Sequence, residues 1–428
     1  VSRARPADVI PLTDSRESSP TRASFDLAEL MRPGTLRLGA PPPLSVYVHL
    51  PWCLKKCPYC DFNSHEYRAV SGDEDLPEGR YLDALMADLE ANLPLVWGRT
   101  VHTVFIGGGT PSLFSPPAIE RLLVDIRARL RLAADCEITL EANPGTFEKD
   151  RFRAFRSAGV TRLSMGVQSF NDAHLKAMGR VHDAAQARAA VAEAAQVFDT
   201  FNLDLMYALP GQTLADLRQD LDTALGFAPP HLSVYHLTLE PNTVFATRPP
   251  PGLPDDDTAY AMLDLVAQAT AGAGLQRYEV SAFAKPGHAC RHNANYWGFG
   301  DYLGIGAGAH GKLSFAHRVL RQVRWRDPAG YMQRALSDDP RSCISQHHEV
   351  PRADLPFEFM LNALRLVEGF AVQDFVDRAG LPVSSVDSAL RDAQAQGLIE
   401  RDLIRIKPTA KGLDFLSDLQ ALFLPETP

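Results

Sequence analysis

Cys53, Cys57 and Cys60 stand in the segment HLPWCLKKCPYCDF, with three residues and then two between them. Three thiolates are soft ligands suited to zinc or to an iron–sulfur cluster, and Pro51 and Pro58 stiffen the loop that presents them. Zinc would need a fourth ligand, for which His49 and His65 are candidates, but 3-then-2 spacing without a matching distal pair fits closed zinc sites poorly. A cubane held by only three cysteines keeps one iron open, and that vacancy can be chelated by a substrate's amino and carboxylate groups. Cys136, Cys290 and Cys343 are scattered singly and read as small buried hydrophobes.

Further candidates follow the cysteines along the chain. Gly107-Gly108-Gly109-Thr110-Pro111 closes the run VHTVFI. Glycines let backbone amides approach a ligand without interference from Cβ, and Thr110 adds a hydroxyl. Glu141 in LEANP offers a carboxylate to hydroxyl groups, Gln168 lies in GVQSF and Asp204 in LDLMYALPG. Polar residues inside such apolar runs need partners when buried. Arg180 in MGRVH can pair with a carboxylate through its planar fork, and Tyr47 and Tyr59 flank the cysteine loop.

The elements that must position these residues are six β-rich runs, SVYVHL, VHTVFIGGG, EITLEANP, RLSMGVQSF, FNLDLMYALP and HLSVYHLTLEP. Helical patterns such as RYLDALMADLEANL and PAIERLLVDIRARLRL lie between them, with apolar residues at helical spacing, so a parallel α/β sheet or barrel is expected. Cys53, Gly108, Glu141, Gln168 and Asp204 then fall at the C-terminal ends of strands, where such folds assemble their sites. Residues 1–43 read as a flexible leader and 44–244 as the core. Residues 245–350 read as an accessory region with a Gly-dense loop, GFGDYLGIGAGAHGK, and 351–428 as a small winged-helix-like domain with a short hairpin in LIERDLIRIKPTAKG.

Composition narrows the function. The chain has 428 residues, a formal net charge of −9 and a pI of about 5.8, so no global basic field attracts nucleic acid. From Pro351 onward there are 8 Lys/Arg against 12 Asp/Glu, the reverse of what phosphate binding needs, which disfavours a zinc-bearing DNA regulator built on the C-terminal module. No apolar run is long enough to span a bilayer; peripheral contact with a membrane is left open. Six cysteines in so long a chain make no disulfide scaffold, so a cytoplasmic protein with reduced thiols is expected.

The Cys-x3-Cys-x2-Cys spacing, together with GGGTP, resembles the radical-SAM superfamily, and from about Ser45 onward the chain resembles the group that contains the oxygen-independent coproporphyrinogen III dehydrogenases (HemN-type) and the HemW haem chaperones. That resemblance implies a partial parallel (β/α)6 barrel with an accessory region and a C-terminal winged-helix-like domain. It also implies a [4Fe-4S] cluster on Cys53, Cys57 and Cys60, whose open iron is chelated by S-adenosylmethionine, with Tyr47, Tyr59, Gly108, Gly109, Thr110, Glu141, Gln168, Arg180 and Asp204 contacting that cofactor. Cleavage of its C–S bond by an electron from the reduced cluster would give a 5′-deoxyadenosyl radical. The dehydrogenases typically carry another cysteine two positions after the third ligand. This chain has Phe62 there, in the HemW-like string CPYCDFNSH. His292-Asn293-Ala294-Asn295-Tyr296-Trp297 resembles the HNxxYW motif of HemW and makes His292 a candidate haem ligand, with His310 in GAGAHGK as the second. The HemW branch implies haem, haem-acceptor proteins and an electron donor as partners; the alternative is a porphyrinogen-decarboxylating enzyme.

Overall fold

Alternation of apolar and polar residues sends one side of each early strand to a helical layer and the other to an interior lumen. In β1 (Leu44–Leu50) Val46, Val48 and Leu50 are fully buried in the main core, whereas Ser45, Tyr47 and His49 occupy the opposite face. The computed structural model describes residues 32–34, 36–67, 76–145 and 148–425. Five further strands, β2 (Thr100–Gly108), β3 (Arg131–Ala142), β4 (Arg162–Gln168), β5 (Thr200–Tyr207) and β6 (His231–His236), pair in parallel in chain order and curl into a partial barrel.

Helices α1 (Glu78–Val96), α2 (Pro116–Arg129), α3 (Glu148–Ala158), α4 (Asp172–Ala177), α5 (Ala184–Val197) and α6 (Leu214–Gly226) connect these strands. Their starts are written locally: Ser115 caps α2, and Asp183 with Gln186 makes a capping box at α5. Beyond α7 (Asp256–Gly272), the sheet acquires β7 (Gln276–Arg277) and β8 (Ala282–Ala284) at one edge, β8 running antiparallel to β6.

A short helix α8 (Arg291–Trp297) precedes the Gly-dense segment, which the sequence presents as a loop. In the structure it contains β9 (Asp301–Ile305), parallel to β1, and the start of β10 (His310–Phe315). Glycine makes that possible: a Cβ on Gly304 would lie 1.9 Å from the His310 carbonyl oxygen, so any side chain would push the two segments apart. The antiparallel strands β11 (Arg318–Arg324) and β12 (Ile344–Glu349) complete a twelve-stranded sheet, ordered β12-β11-β10-β9-β1-β2-β3-β4-β5-β6-β8-β7. The extension is bolted to α1 by Arg324, whose guanidinium meets Asp88 at 3.1 Å with both side chains fully buried. Tyr331, on α9 (Pro328–Ala335), and the Gly306 amide donate to the same carboxylate. Losing either Arg324 or Asp88 would strand the other's buried charge at a cost of about 3–5 kcal/mol.

A second core gathers α10 (Leu355–Ala363), α11 (Val372–Ala379) and α12 (Asp387–Ala395) under the three-stranded sheet of β13 (Phe370–Ala371), β14 (Ile399–Arg401) and β15 (Arg405–Pro408). β14 and β15 form the expected antiparallel hairpin. Leu36 and Leu38 are buried in this core, and Arg37 N donates to the Gly380 carbonyl. The end of the segment expected as a flexible leader is thus packed, because it carries two leucines that fit the C-terminal module; positions 1–31 lie outside the described residues. Among the described residues no helix is long and apolar enough to cross a membrane.

Candidate functional site

The cysteine loop leaves β1 and lies across the end of β2. Gly109 N donates to the Leu50 carbonyl and Thr110 N to that of Trp52, both at 2.8 Å, while Gly108 N donates to Glu141 Oε2 at 3.1 Å. These amides are therefore used within the protein rather than held out to a ligand, which corrects the cradle expected from the glycine triplet. The glycines serve contact instead: a Cβ on Gly109 would sit 2.5 Å from the Trp52 oxygen, and Gly108 has φ +125°.

Each cysteine sulfur has its own hydrogen-bonding neighbour. Thr110 Oγ1 donates to Cys53 Sγ (3.5 Å), Arg180 Nη1 to Cys57 Sγ (3.6 Å), and Ser64 Oγ lies 3.6 Å from Cys60 Sγ. Cys53 is buried, and Cys57 and Cys60 are partly so. Burial holds the Cys53 and Cys60 thiols above the ordinary thiol range. Two of these neighbours are joined: Arg180 Nη2 donates to Asn143 Oδ1 at 2.5 Å, and Asn143 Nδ2 donates to Thr110 Oγ1 at 2.8 Å. The Arg180 guanidinium also reaches the Gly166 carbonyl and Tyr59 OH, and its Nε is buried without a partner.

A buried cation needs a counter-charge. No carboxylate forms an ion pair with Arg180 among the described residues; its nearest soft atom is Cys57 Sγ. An anionic thiolate cluster and a cofactor carboxylate both answer that need, and three thiols with a donor apiece suit the outer shell of an iron–sulfur cluster. A single zinc ion fits less well. Among the described residues no three His, Cys, Asp or Glu side chains are gathered to hold one metal ion. Both ring nitrogens of His49 are engaged, Nδ1 with Tyr47 OH (3.0 Å) and Nε2 with the Asn63 carbonyl (2.9 Å). Burial lowers the His49 pKa to about 4, so the ring is neutral: Nε2–H donates to Asn63, and Tyr47 O–H donates to Nδ1. Tyr47 therefore turns oxygen lone pairs, not its proton, to any further partner.

Glu141 and Asp204 reach into the lumen from β3 and β5. Asp204 lies three residues before the end of β5, not at a strand end, and barrel stagger brings it opposite Glu141. Burial first, then the Asp204 charge, raises the Glu141 pKa to about 8; burial raises that of Asp204 to about 6, against the hydrogen bond from Asn202. Gln168 has φ 70° at a bulge in β4, a strained backbone of the kind found beside functional sites. Its amide gathers with Asn143 and Arg180 over Gly166, where a Cβ would lie 2.7 Å from Asn143 Oδ1 and 3.0 Å from Gln168 Nε2.

A pH prediction follows from Glu141. Between the unfolded value of 4.5 and the folded value of about 8, the folded protein holds a proton that the unfolded chain releases. This contribution to stability is full below the lower value and is lost as pH rises through the upper one. The melting temperature of cofactor-free protein should fall from about pH 5 to about pH 8 more steeply in the parent than in Glu141→Gln; parallel slopes would contradict a raised Glu141 pKa.

The two histidines singled out by sequence lie apart. His292, on α8, is only 8% exposed and closes the N-terminal end of the lumen, its ring 5.0 Å from Phe105 and 6.4 Å from Tyr47. Thr103 Oγ1 donates to Ser45 and so accepts from His292 Nδ1–H at 2.9 Å. Burial lowers the His292 pKa to about 3, so the ring is neutral and the Nε2 lone pair is free. Asn295 of the same motif binds the Pro43 and Asp301 carbonyls and Ser45 Oγ, and Trp297 lies under Arg365. His310 is exposed at the opposite, C-terminal end of the lumen. Phe62 is 61% exposed beside the cysteine loop.

Sequence reasoning missed Asn143, which joins Arg180 to Thr110, and Asn63, whose Nδ2 ties the cysteine loop to the Ala307 and Arg326 carbonyls. Their signal was slight: each is an amide just beyond a motif, in LEANP and CDFNSH.

Comparison with known proteins agrees with this geometry. The radical SAM superfamily matches residues 47–224 and the HemN C-terminal domain family matches residues 350–415. The heme chaperone HemW of Escherichia coli is 48% identical over 387 residues, 90% of this chain and 99% of that protein. HemW of Haemophilus influenzae is 46% identical over 392 residues, with the same shares covered. Coproporphyrinogen III oxidase HemN of Escherichia coli, a radical SAM enzyme, superposes with a TM-score of 0.75 over 94% of this chain and 98% of that one, at 24% identity, which establishes the shared fold. By its identity and coverage against the HemW proteins, the chain belongs to the HemW family of the radical SAM superfamily.

Proposed function

We propose that this protein is a haem chaperone that binds haem and passes it to acceptor proteins, carrying a [4Fe-4S] cluster on Cys53, Cys57 and Cys60 with S-adenosylmethionine at the open iron. The observation that carries the reading is the 48% identity to a heme chaperone along almost its whole length. The buried, unpaired Arg180 beside Cys57 supports the cluster and the carboxylate-bearing cofactor.

In this reading Thr110, Arg180 and Ser64 orient the three thiolates and spread their negative charge. Arg180 and Gln168 face the methionyl carboxylate, Tyr47 accepts from the ammonium group, Tyr59 packs beside the cluster, and Glu141 and Asp204 take the ribose hydroxyls. Gly108 and Gly109 keep the end of β2 tight against the loop. When bound, the cluster and S-adenosylmethionine supply one-electron chemistry. His292 is the iron ligand best prepared by its surroundings: neutral, with Nδ1 held by Thr103 as a ligating imidazole is held by an outer partner. The protein works in the cytoplasm and takes electrons from a separate donor.

Haem titration followed by absorbance tests this. The parent should bind haem, and His292→Ala should bind it at least about tenfold more weakly, one lost interaction of roughly 1.4 kcal/mol or more, while iron and sulfide contents stay unchanged. A parent that takes up no haem would sink the chaperone reading. An unchanged titration in His292→Ala would move the ligand elsewhere, with His310 next.

A further inference from the structure

His292 sits on α8, and both ends of that helix are tied to the C-terminal module. Trp297, its last residue, lies under the Arg365 guanidinium, whose carbon is 4.2 Å from the ring centroid. The indole N–H is buried without a partner, so the ring is fixed through its face and not through its polar edge. Arg365, two residues past α10, is held in turn by the buried Glu279 carboxylate at 3.4 Å. The residue after the helix, Gly298, gives its carbonyl to Arg378 Nη1 of α11. Phe299 follows with φ 58°, a left-handed backbone that is costly for a bulky side chain. The second core sustains it: its ring is 2% exposed and packs against Phe359 at 5.5 Å.

The start of α8 is tied to the same module at one remove. Cys290 N, at the N-cap, donates to Tyr278 OH at 3.3 Å. The Tyr278 carbonyl accepts from Val367 N at 3.0 Å, and Glu279 pairs with Leu366 as an antiparallel bridge. Residues 365–367 of the module therefore grip the segment that carries the start of α8 as well as the ring at its end. Between these holds His292 is fixed twice more, by Thr103 at Nδ1 and by Glu137, which accepts from its backbone N–H at 3.2 Å. A ligating side chain binds a metal tightly only while its supports keep it aimed, so loosening a support costs affinity although the ligand is unchanged.

We propose that Arg365 is a positioning residue for haem: by clamping Trp297 it holds α8 and keeps the His292 imidazole aimed at the iron. This rests on the haem-chaperone reading with His292 as the iron ligand, and adds to it the support through which the C-terminal module takes part. Arg365 touches neither the haem nor the cluster, and its effect passes through His292. The residues of the HNxxYW string then divide the work. His292 ligates, Asn295 ties the helix to Ser45 of β1 and to the Asp301 carbonyl, and Trp297 receives the clamp.

The experiment is a double-mutant cycle of Arg365→Leu and His292→Ala, read by haem titration of the cluster-reconstituted full chain. Arg365→Leu should weaken haem binding about fivefold, the scale of one cation–π contact, chiefly through faster release. In the His292→Ala background the same change should cost nothing further, since the side chain it aims is gone. Arg365→Lys keeps a charge for Glu279 but not the flat stacking group, and should recover part of the loss. Hydrogen exchange of the amides of 291–297 should quicken in Arg365→Leu, while iron and sulfide contents stay unchanged. Equal losses in both backgrounds would mark a general structural effect and overturn the clamp, as would unchanged haem affinity in Arg365→Leu. If that variant does not fold, Arg378→Met, which frees the Gly298 carbonyl, takes its place in the cycle and the same outcomes decide. A parent that binds no haem would overturn the chaperone reading and the clamp with it; haem binding unaltered by His292→Ala would overturn the ligand and the clamp, and leave the chaperone reading standing.

Discussion

Cys57→Ala, prepared and reconstituted without oxygen, is expected to hold no iron–sulfur cluster, whereas Cys343→Ala is expected to hold the full complement. Cys57 lies in the loop between β1 and α1 and takes a hydrogen bond from Arg180, so its removal takes away one of only three thiolates and leaves that guanidinium buried without its sulfur. Cys343 is fully buried beside Asp88 in the main core, where burial raises its thiol far above the ordinary range and no ligand role is open to it. Its truncation should cost no more than about 1–2 kcal/mol of stability, as for other small core deletions. Iron and acid-labile sulfide per chain decide the matter. A full cluster in Cys57→Ala would remove the proposed ligand set, and a vacant Cys343→Ala would show that the core cysteine matters where the packing says it does not.

The second large effect belongs to Arg180. Arg180→Met fills much the same volume but removes a buried positive charge that sits between Cys57, Tyr59, Asn143 and the Gly166 carbonyl. If that charge faces the cofactor carboxylate, S-adenosylmethionine should bind about ten- to a hundredfold more weakly, matching roughly 1.5–3 kcal/mol for a hydrogen bond to a charged group. The cluster itself should still assemble, because all three cysteines remain. The readouts are the dissociation constant for S-adenosylmethionine and the cluster's reduction potential. Unchanged affinity with a lowered potential would make Arg180 a counter-charge for the thiolates only; unchanged values of both would leave its burial without a functional reason.

The parts of the fold written in local pattern were legible. Six runs of alternating or apolar residues became six parallel strands in chain order, and Ser115 and the Asp183/Gln186 pair start helices where capping chemistry says they should. Glu141 and Gln168 were recognisable as polar residues near the ends of such runs, and both lie there. Asp204 in LDLMYALPG reads from the sequence as a strand-end residue like Gln168. The register of β4, β5 and β6 sets it lower, where stagger faces it toward Glu141.

Local sequence determined the thiolate trio, the strand–helix alternation and the candidate histidines, because spacing along one chain is enough to define a ligand loop or an amphipathic face. Tertiary structure decided what those residues touch. It turned a glycine-rich loop into β9, because Gly304 admits the His310 carbonyl where no side chain would fit. It consumed the amides of Gly109 and Thr110 in binding the loop to β2 and that of Gly108 in holding Glu141, and joined Arg180 to Thr110 through Asn143, three residues far apart in sequence. It also separated His292 from His310, one buried against Tyr47 and Phe105 and the other exposed at the opposite end of the lumen, since burial and charge depend on packing between distant segments rather than on the residues alone.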